Sequence, residues 1–449
     1  MKKLLFIFTI ITATTSFAQD HFAGINTSSR VGILNTNVNP AELPNLSKRF
    51  EINIYGLSFN VANNKIGFSD LTSDTNLEDL IFKGNEPVNM RFDGQIIGPS
   101  VAMRWMKWGF GITTKANMKF DLVDIDTKIG DAISNSGLNL GSSTVINNNY
   151  NQRLNGTSWG EVGLSAGRTV FENDKHRLNV GITLKFLFPG SYSNFGMDKF
   201  QGTVTSGING AYLSDTQATI NIAYSGGLAD SFSNFNDYTS SVFGSLNGVA
   251  TDIGVNYQWK NGSDKYKVNA GMSIRNIGSM TFKDNNNSSS NYILSIPEAT
   301  LSDPGLDLSQ FENVQNLQDV ETILQNSGYL TAEKSNKDFT VKLPTVFSAY
   351  ADVKIIPKVY VTVFTQQKLN SDNNNDQITT QNIISLTPRV NLGFFEAYLP
   401  VSNNEVSGTN VGMGFRFKGF YLGSSSIITT VLNDSKQADI YTGFRWAFL

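Results

Sequence analysis

The sequence predicts an all-β chain, a transmembrane antiparallel β-barrel of about 14 strands with long extracellular loops. Three observations carry this expectation. The last residues alternate strictly: Ile440, Thr442, Phe444, Trp446 and Phe448 fall on one face, and Asp439, Tyr441, Gly443, Arg445 and Ala447 on the other. A strand needs this pattern when one side meets lipid and the other water. At the other end, Lys2 and Lys3 precede an apolar run from Leu4 to Ile11, and Ser16-Phe17-Ala18 offers small residues for cleavage before Gln19. That is the layout of a secretory signal peptide. Between the ends, no apolar run reaches the roughly 18 residues of a membrane helix. Yet the chain holds 31 Phe, 15 Tyr and 39 Gly at 40% hydrophobic content. Barrel strands hide their apolar residues from hydropathy by placing a polar one between each pair. A soluble β-sandwich also alternates, but it explains neither end of the chain.

The division expected is a signal peptide over 1–18, a segment over 19–47 too long for a simple tail, and a barrel over 48–449. In the first strand Phe50, Ile52 and Ile54 precede Leu57, Phe59 and Val61, so the parity changes and predicts a bulge at Gly56. Tight turns are expected at 106–107, 173–175, 261–264, 356–357, around Gly393 and at 418–419. Long connections are expected near 62–89, 122–156, 189–248, 284–340, 370–378, 402–408 and 429–437. Barrels of this class have short periplasmic turns and long extracellular loops, and seven loops with six turns give fourteen strands. Segment 200–228 is strand-like and leaves open a hairpin inside the third loop or an extra pair in the wall, hence sixteen. A short helix is expected at 77–82, capped by Asp74 or Thr75. A helix over 308–324 is expected to bury its apolar face. Trp105, Trp108, Trp159, Trp259 and Trp446 fall at inferred strand ends, where indole suits the membrane interface.

Inward parity collects Arg91, Arg104, Lys115, Lys185, Lys267, Arg275, Lys342, Arg416 and Arg445, against Glu51, Asp93, Glu161, Asp252 and Asp352. A basic lumen favours an anionic headgroup; charge pairing within a plugged barrel is the plainer alternative. Catalysis has little support. With no Cys and only His21 and His176, neither a zinc site nor a Ser-His-acid site is expected. Gly163-Leu164-Ser165-Ala166-Gly167 lies in a strand rather than a strand-to-helix elbow. Ser371 to Asp376 lacks EF-hand spacing. No enzyme activity, cofactor or metal is expected. Removing Lys2 and Lys3 leaves 35 − 2 = 33 cations against 38 acids, a mature net charge of 33 − 38 = −5. No nucleic-acid footprint follows.

Asn39-Pro40-Ala41, directly before the first strand, resembles the hatch turn of the FadL family of long-chain fatty-acid transporters and its relatives, including PorV-type barrels of Bacteroidota. Tyr441, Gly443, Trp446 and Phe448 resemble the C-terminal signal that directs bacterial barrels to their assembly machine, with Leu449 one residue beyond the usual end. The resemblance implies a monomeric outer-membrane barrel of fourteen strands with an N-terminal hatch over 19–47 that plugs the lumen. It implies passage or binding of a small hydrophobic or amphipathic molecule, with lateral exit through a kinked strand. No ligand-pocket residue transfers, so the ligand-binding residues stay unknown. The alternative is a scaffold that docks a protein partner at its extracellular loops, as PorV-type relatives do. The partners expected are therefore outer-membrane lipid, a hydrophobic small molecule and, in the alternative, a protein.

Overall fold

The computed structural model describes residues 21–28, 31–73, 76–134, 142–207, 210–230, 244–260, 266–311, 314–432 and 434–448. The signal peptide, Gln19, the helix caps Asp74 and Thr75, and the turn at 261–264 lie outside the described residues.

Fourteen antiparallel wall strands form a closed ring. In chain order they are Phe50–Asn63; Val88–Ile97 continued by Ser100–Trp105; Trp108–Ile125; Asn151–Glu172; His176–Gly207; Gly248–Lys260; Tyr266–Phe282; Phe339–Lys342 continued by Val346–Ile356; Val359–Lys368; Ile383–Asn391; Phe395–Tyr398 continued by Val401–Asn404; Gly408–Val411 continued by Met413–Phe417; Phe420–Ser424; and Gln437–Phe448. Each pairs with the next. The last pairs with the first, from Phe50 opposite Phe448 to Ala62 opposite Gln437. Closure leaves no edge, so the wall satisfies its backbone groups without water.

The molecule is apolar outside and polar within. Met272 is 52% exposed and Trp446 64%, whereas Asn53, Asn256 and Glu396 are fully buried. In a strand facing water and lipid, a one-residue slip costs about 2–4 kcal/mol for each Arg or Lys moved to the midplane. Lys115, Lys185 and Arg416 therefore fix the register of their strands. Several wall strands break midway. Gly98-Pro99 interrupts the second, and Ser100 Oγ accepts the Thr114 N–H at 3.2 Å where the backbone ladder lapses. The parity change in the first strand is present, but the extra residue is Ile54, between the pairs Asn53–Arg445 and Tyr55–Phe444, not Gly56.

The third loop differs most from expectation. Strand His176–Gly207 runs on past Pro189 and turns back as Gly210–Ser225. This hairpin does not enter the ring. Its second arm pairs with Ser288–Ile296, which pairs with Leu330–Asn336, and together they build a sheet above the wall. The expected helix over 308–324 is shorter and divided into a 3-10 turn, Leu308–Phe311, and an α-helix, Leu317–Asn326. Asn316 caps the latter by accepting the Asp319 N–H at 2.8 Å. Leu317 and Leu324 pack with Ile220, Ile222 and Leu294 of the upper sheet, so the helix buries its apolar face on its own and the neighbouring loop. No helix among the described residues is long and apolar enough to cross a membrane.

Candidate lumenal site

Residues 21–28 and 31–46 lie within the ring. Ile25, Val31, Ile33, Ala41 and Leu43 are almost wholly buried. Asn39 is extended and its side chain accepts the Ala41 N–H at 2.9 Å, opening the 3-10 segment Pro40–Asn45 with proline in its first turn. The same Asn39 amide donates to Val255 O at 2.8 Å. Glu42 Oε1 accepts from Asn256 at 2.9 Å, Asn269 at 2.8 Å and Tyr350 at 2.5 Å, and Oε2 accepts from Asn45 at 2.7 Å. Gly181 lets the turn approach the wall, since a Cβ there would overlap Pro40 and Ala41. Further up, Tyr441 donates to Ala23 O at 2.7 Å and Ser28 to Glu396 at 2.7 Å.

Between this segment and the wall lies a chamber of about 110 Å³. Lys115 pairs with Glu161 at 3.1 Å, and Lys185 with Asp252 at 2.8 Å and Glu161 at 3.7 Å. Asp93 pairs with Lys119 and, at 2.9 Å, with His21 Nε2. Arg275 is different: its acceptors are neutral, Asn37 O, Ser348 Oγ and Gln366 Oε1. Three buried donors on the chamber make no hydrogen bond among the described residues: Asn117 Nδ2, Trp159 Nε1 and Arg275 Nε. The chamber therefore offers donors and positive charge to a ligand with acceptor atoms.

The structure gathers only part of the basic set. Arg416 pairs with Glu396 at 3.3 Å and Arg445 with Glu51 at 3.2 Å, both away from the chamber. Arg104 is half-exposed at the end of its strand, beside Trp105, and stands outside the ion-pair network. Lys342 is a correction: the parity shifts at Pro344, so Val341 is buried and Lys342 is exposed with Asp376. Lys267 also turns away, its ammonium over the Trp259 ring at 4.8 Å. Trp159 is a second correction. It is 4% exposed because it shares the parity of Glu161, two residues on, and so faces the lumen rather than a membrane interface. Trp105, Trp108, Trp259 and Trp446 do face outward. Of the terminal motif, Tyr441 and Gly443 point in, and Trp446 and Phe448 point out.

Sequence reading missed Asp121, paired with Arg91 at 3.3 Å, and Arg389, 3.6 Å from Glu396. Asp121 was findable, since it continues the inward row Lys115, Asn117, Lys119. Glu42 and Asn256 carried no periodic signal, because one lies in a 3-10 turn and the other is an ordinary inward amide.

A family model described as a family of unknown function, DUF5723, matches residues 40–425. The chain belongs to that family. The match begins at Pro40, so it takes in the 3-10 turn seated against Gly181 as well as most of the ring. No curated protein matches this DUF5723 chain. Among solved structures it is similar to the CymD monoaromatic hydrocarbon channel, at 11% identity over 93% of this chain and 92% of that one, TM-score 0.41. It is similar to the Pseudomonas putida toluene transporter TodX, at 9% identity over 96% and 98%, TM-score 0.39. It is also similar to the translocator domain of the Neisseria meningitidis autotransporter NalP, at 8% identity over 89% of each chain, TM-score 0.30. The description of this DUF5723 chain as a barrel rests on the ring closure itself.

Proposed function

We propose that the protein is an outer-membrane barrel whose N-terminal segment plugs the lumen and whose chamber takes the polar end of a small amphipathic molecule. The apolar outer face around a charged interior supports a bilayer setting, since monomeric soluble proteins rarely expose apolar patches beyond a few hundred Å². The observation that carries the ligand class is the trio of buried donors Asn117 Nδ2, Trp159 Nε1 and Arg275 Nε. A buried donor without a partner costs roughly 1–3 kcal/mol, and an acceptor group in the chamber would recover it. A bare hydrocarbon would recover none of it, so the polar end is the part this chamber selects.

Trp159 gives the test its signal. In a variant with Trp105, Trp108, Trp259 and Trp446 changed to Phe, fluorescence comes from Trp159 alone. Decanoate is expected to change it saturably and decane to leave it unchanged, with Arg275→Ala weakening decanoate about tenfold, the ~1.4 kcal/mol of one hydrogen bond to a charged group. No response to decanoate, or an equal response to decane, overturns the ligand class.

One observation favours the second reading, a scaffold for a protein partner. The upper sheet has a hydrophobic core of its own, and its last strand, Leu330–Asn336, pairs on one side only among the described residues and is exposed from Thr331 to Asn336. Co-purification of a stoichiometric partner, lost on deleting 327–338, would support that reading.

A further inference from the structure

The first loop, 64–87, does not stand clear of the wall. It folds down over the outer face of the strands beside it. Phe68 N donates to Ser435 O at 2.9 Å, Ser69 N to Asp434 Oδ1 at 2.7 Å, and Asn63 N to Lys436 O at 3.0 Å. Beneath the loop is a groove of about 250 Å³, away from the lumen. Ile66, Phe68, Leu71 and Ile81 supply its loop side. Val61, Met90 and Leu122 supply its wall side, each outward because its neighbour Asn60, Arg91 or Asp121 is buried inward. Its surface is almost wholly apolar, and two lysines, Lys65 and Lys436, stand on its rim.

The lysines have capacity to spare. Lys65 Nζ donates to Lys83 O at 3.0 Å and Lys436 Nζ to Asn64 O at 2.9 Å. Each ammonium has three N–H groups, and neither forms an ion pair among the described residues. The acids near them are Glu86, whose field acts on Lys65, and Asp434 and Asp70, which accept backbone N–H groups of the loop. Partial burial lowers the Lys65 ammonium from its ordinary value, and Lys436 lowers it further against Glu86. Each ammonium thus keeps N–H groups that the acceptor atoms of a headgroup can meet.

Position names the occupant. From Phe50 to Val61 the first strand climbs roughly 28 Å, taking ~3.3 Å per residue and a tilt near 40°. That is close to the ~25 Å of apolar band in such barrels. Phe50 lies at the end that carries Trp446 and Phe448, so the groove opens at the opposite border of the band, where acyl chains meet headgroups.

We infer that this groove holds one anionic, acyl-bearing lipid of the outer leaflet, its chain against Val61, Met90, Leu71 and Leu122 and its charged head between Lys65 and Lys436. The inference rests on the bilayer setting proposed above. It is separate from the lumenal chamber and does not depend on what that chamber binds.

Reconstitution in vesicles of equal phosphatidylglycerol and phosphatidylcholine, followed by extraction and native mass spectrometry, tests it. One retained phosphatidylglycerol is expected, favoured about fivefold or more over phosphatidylcholine. Lys65→Gln with Lys436→Gln should remove the preference and keep some retention. Ile66→Asp with Leu71→Asp should remove retention of both lipids. Folding is followed separately by the gel shift on heating. Wild-type protein that inserts normally and shows no preference, or a preference that survives the lysine changes, overturns the groove alone. Protein that does not insert at all overturns the bilayer setting and the groove with it.

Discussion

The Tyr350 hydroxyl donates to Glu42 Oε1 at 2.5 Å, and so joins the segment before the first strand to the eighth strand of the wall. Asn256 and Asn269 donate to the same oxygen. One carboxylate thus answers three buried donors from three neighbouring strands, and the lumenal segment is held by polar bonds rather than by apolar packing alone.

Glu42→Ala should free that segment while the wall stays closed. Asn269 Nδ2 and the Tyr350 hydroxyl would lose their acceptor at roughly 1–3 kcal/mol each, while Asn256 keeps Asn269 Oδ1 and Ala270 O. Planar-bilayer conductance is expected to rise well above wild type, with circular dichroism unchanged. Conductance equal to wild type would show that the segment is held elsewhere.

Deleting 19–47 should carry the same effect to its limit. Among the described residues the segment contributes no strand to the ring, so the wall keeps its backbone bonds, and a ring of about fourteen strands leaves an aqueous path unless something fills it. The deletion is expected to conduct readily and to show the same gel shift on heating. A closed deletion would remove the plug role.

Gly443→Ala should weaken ring closure. Gly443 faces in beside Tyr421, and a Cβ there would overlap the Tyr421 hydroxyl. Overpacking of this kind costs about 1–3 kcal/mol. The variant is expected to lose its heat-resistant gel form at lower temperature than wild type. A second change, Tyr421→Phe, should recover little of the loss, because Tyr421 Cζ and the Tyr55 carbonyl oxygen would still overlap that Cβ.

High pH should loosen the upper sheet before the wall. Tyr224 and Tyr292 both donate to Glu321. Burial, then the Glu321 charge, pushes the Tyr224 hydroxyl up to about 12 from 10.0. Tyr292 is raised as well, by burial and by its bond to Glu321. A hydroxyl raised by folding stabilises the fold below the unfolded value and loses that contribution as pH climbs through the folded one. Protease cleavage near 312–330 is expected to increase between pH 10 and 12, with tyrosinate absorbance rising in step. In Glu321→Gln the tyrosinate absorbance should rise at lower pH, and the pH-dependent part of the cleavage should shrink, because the folded and unfolded hydroxyls then differ less.

Much of the ring was legible because lipid enforces alternation. Seven loops and six turns, read from tight turn residues and long polar insertions, give the same fourteen strands that pair in the structure. The failures have physical causes. Pro344 shifts the parity under Lys342, and periodicity alone gives no warning of it. Trp159 was assigned by its distance from a strand end, although the parity of Glu161 already turned it inward. The upper hairpin was readable as strand but not as to partner, since alternation does not distinguish a wall from a sheet above it. The lumenal contacts were the least legible part. Glu42 meets Asn256 across 214 positions, and Asn45 meets Asn179 across 134; amides at such distances leave no periodic trace.

The bond from Tyr441 to Ala23 spans 418 positions, and that span sets an order of events. The Ala23 carbonyl emerges early in synthesis, yet its partner lies in the last strand. Contacts so remote in sequence form late, after loop closure has been met by nearer pairings. A chain that stalls before its final strand therefore lacks the hydroxyl on which Ala23 docks.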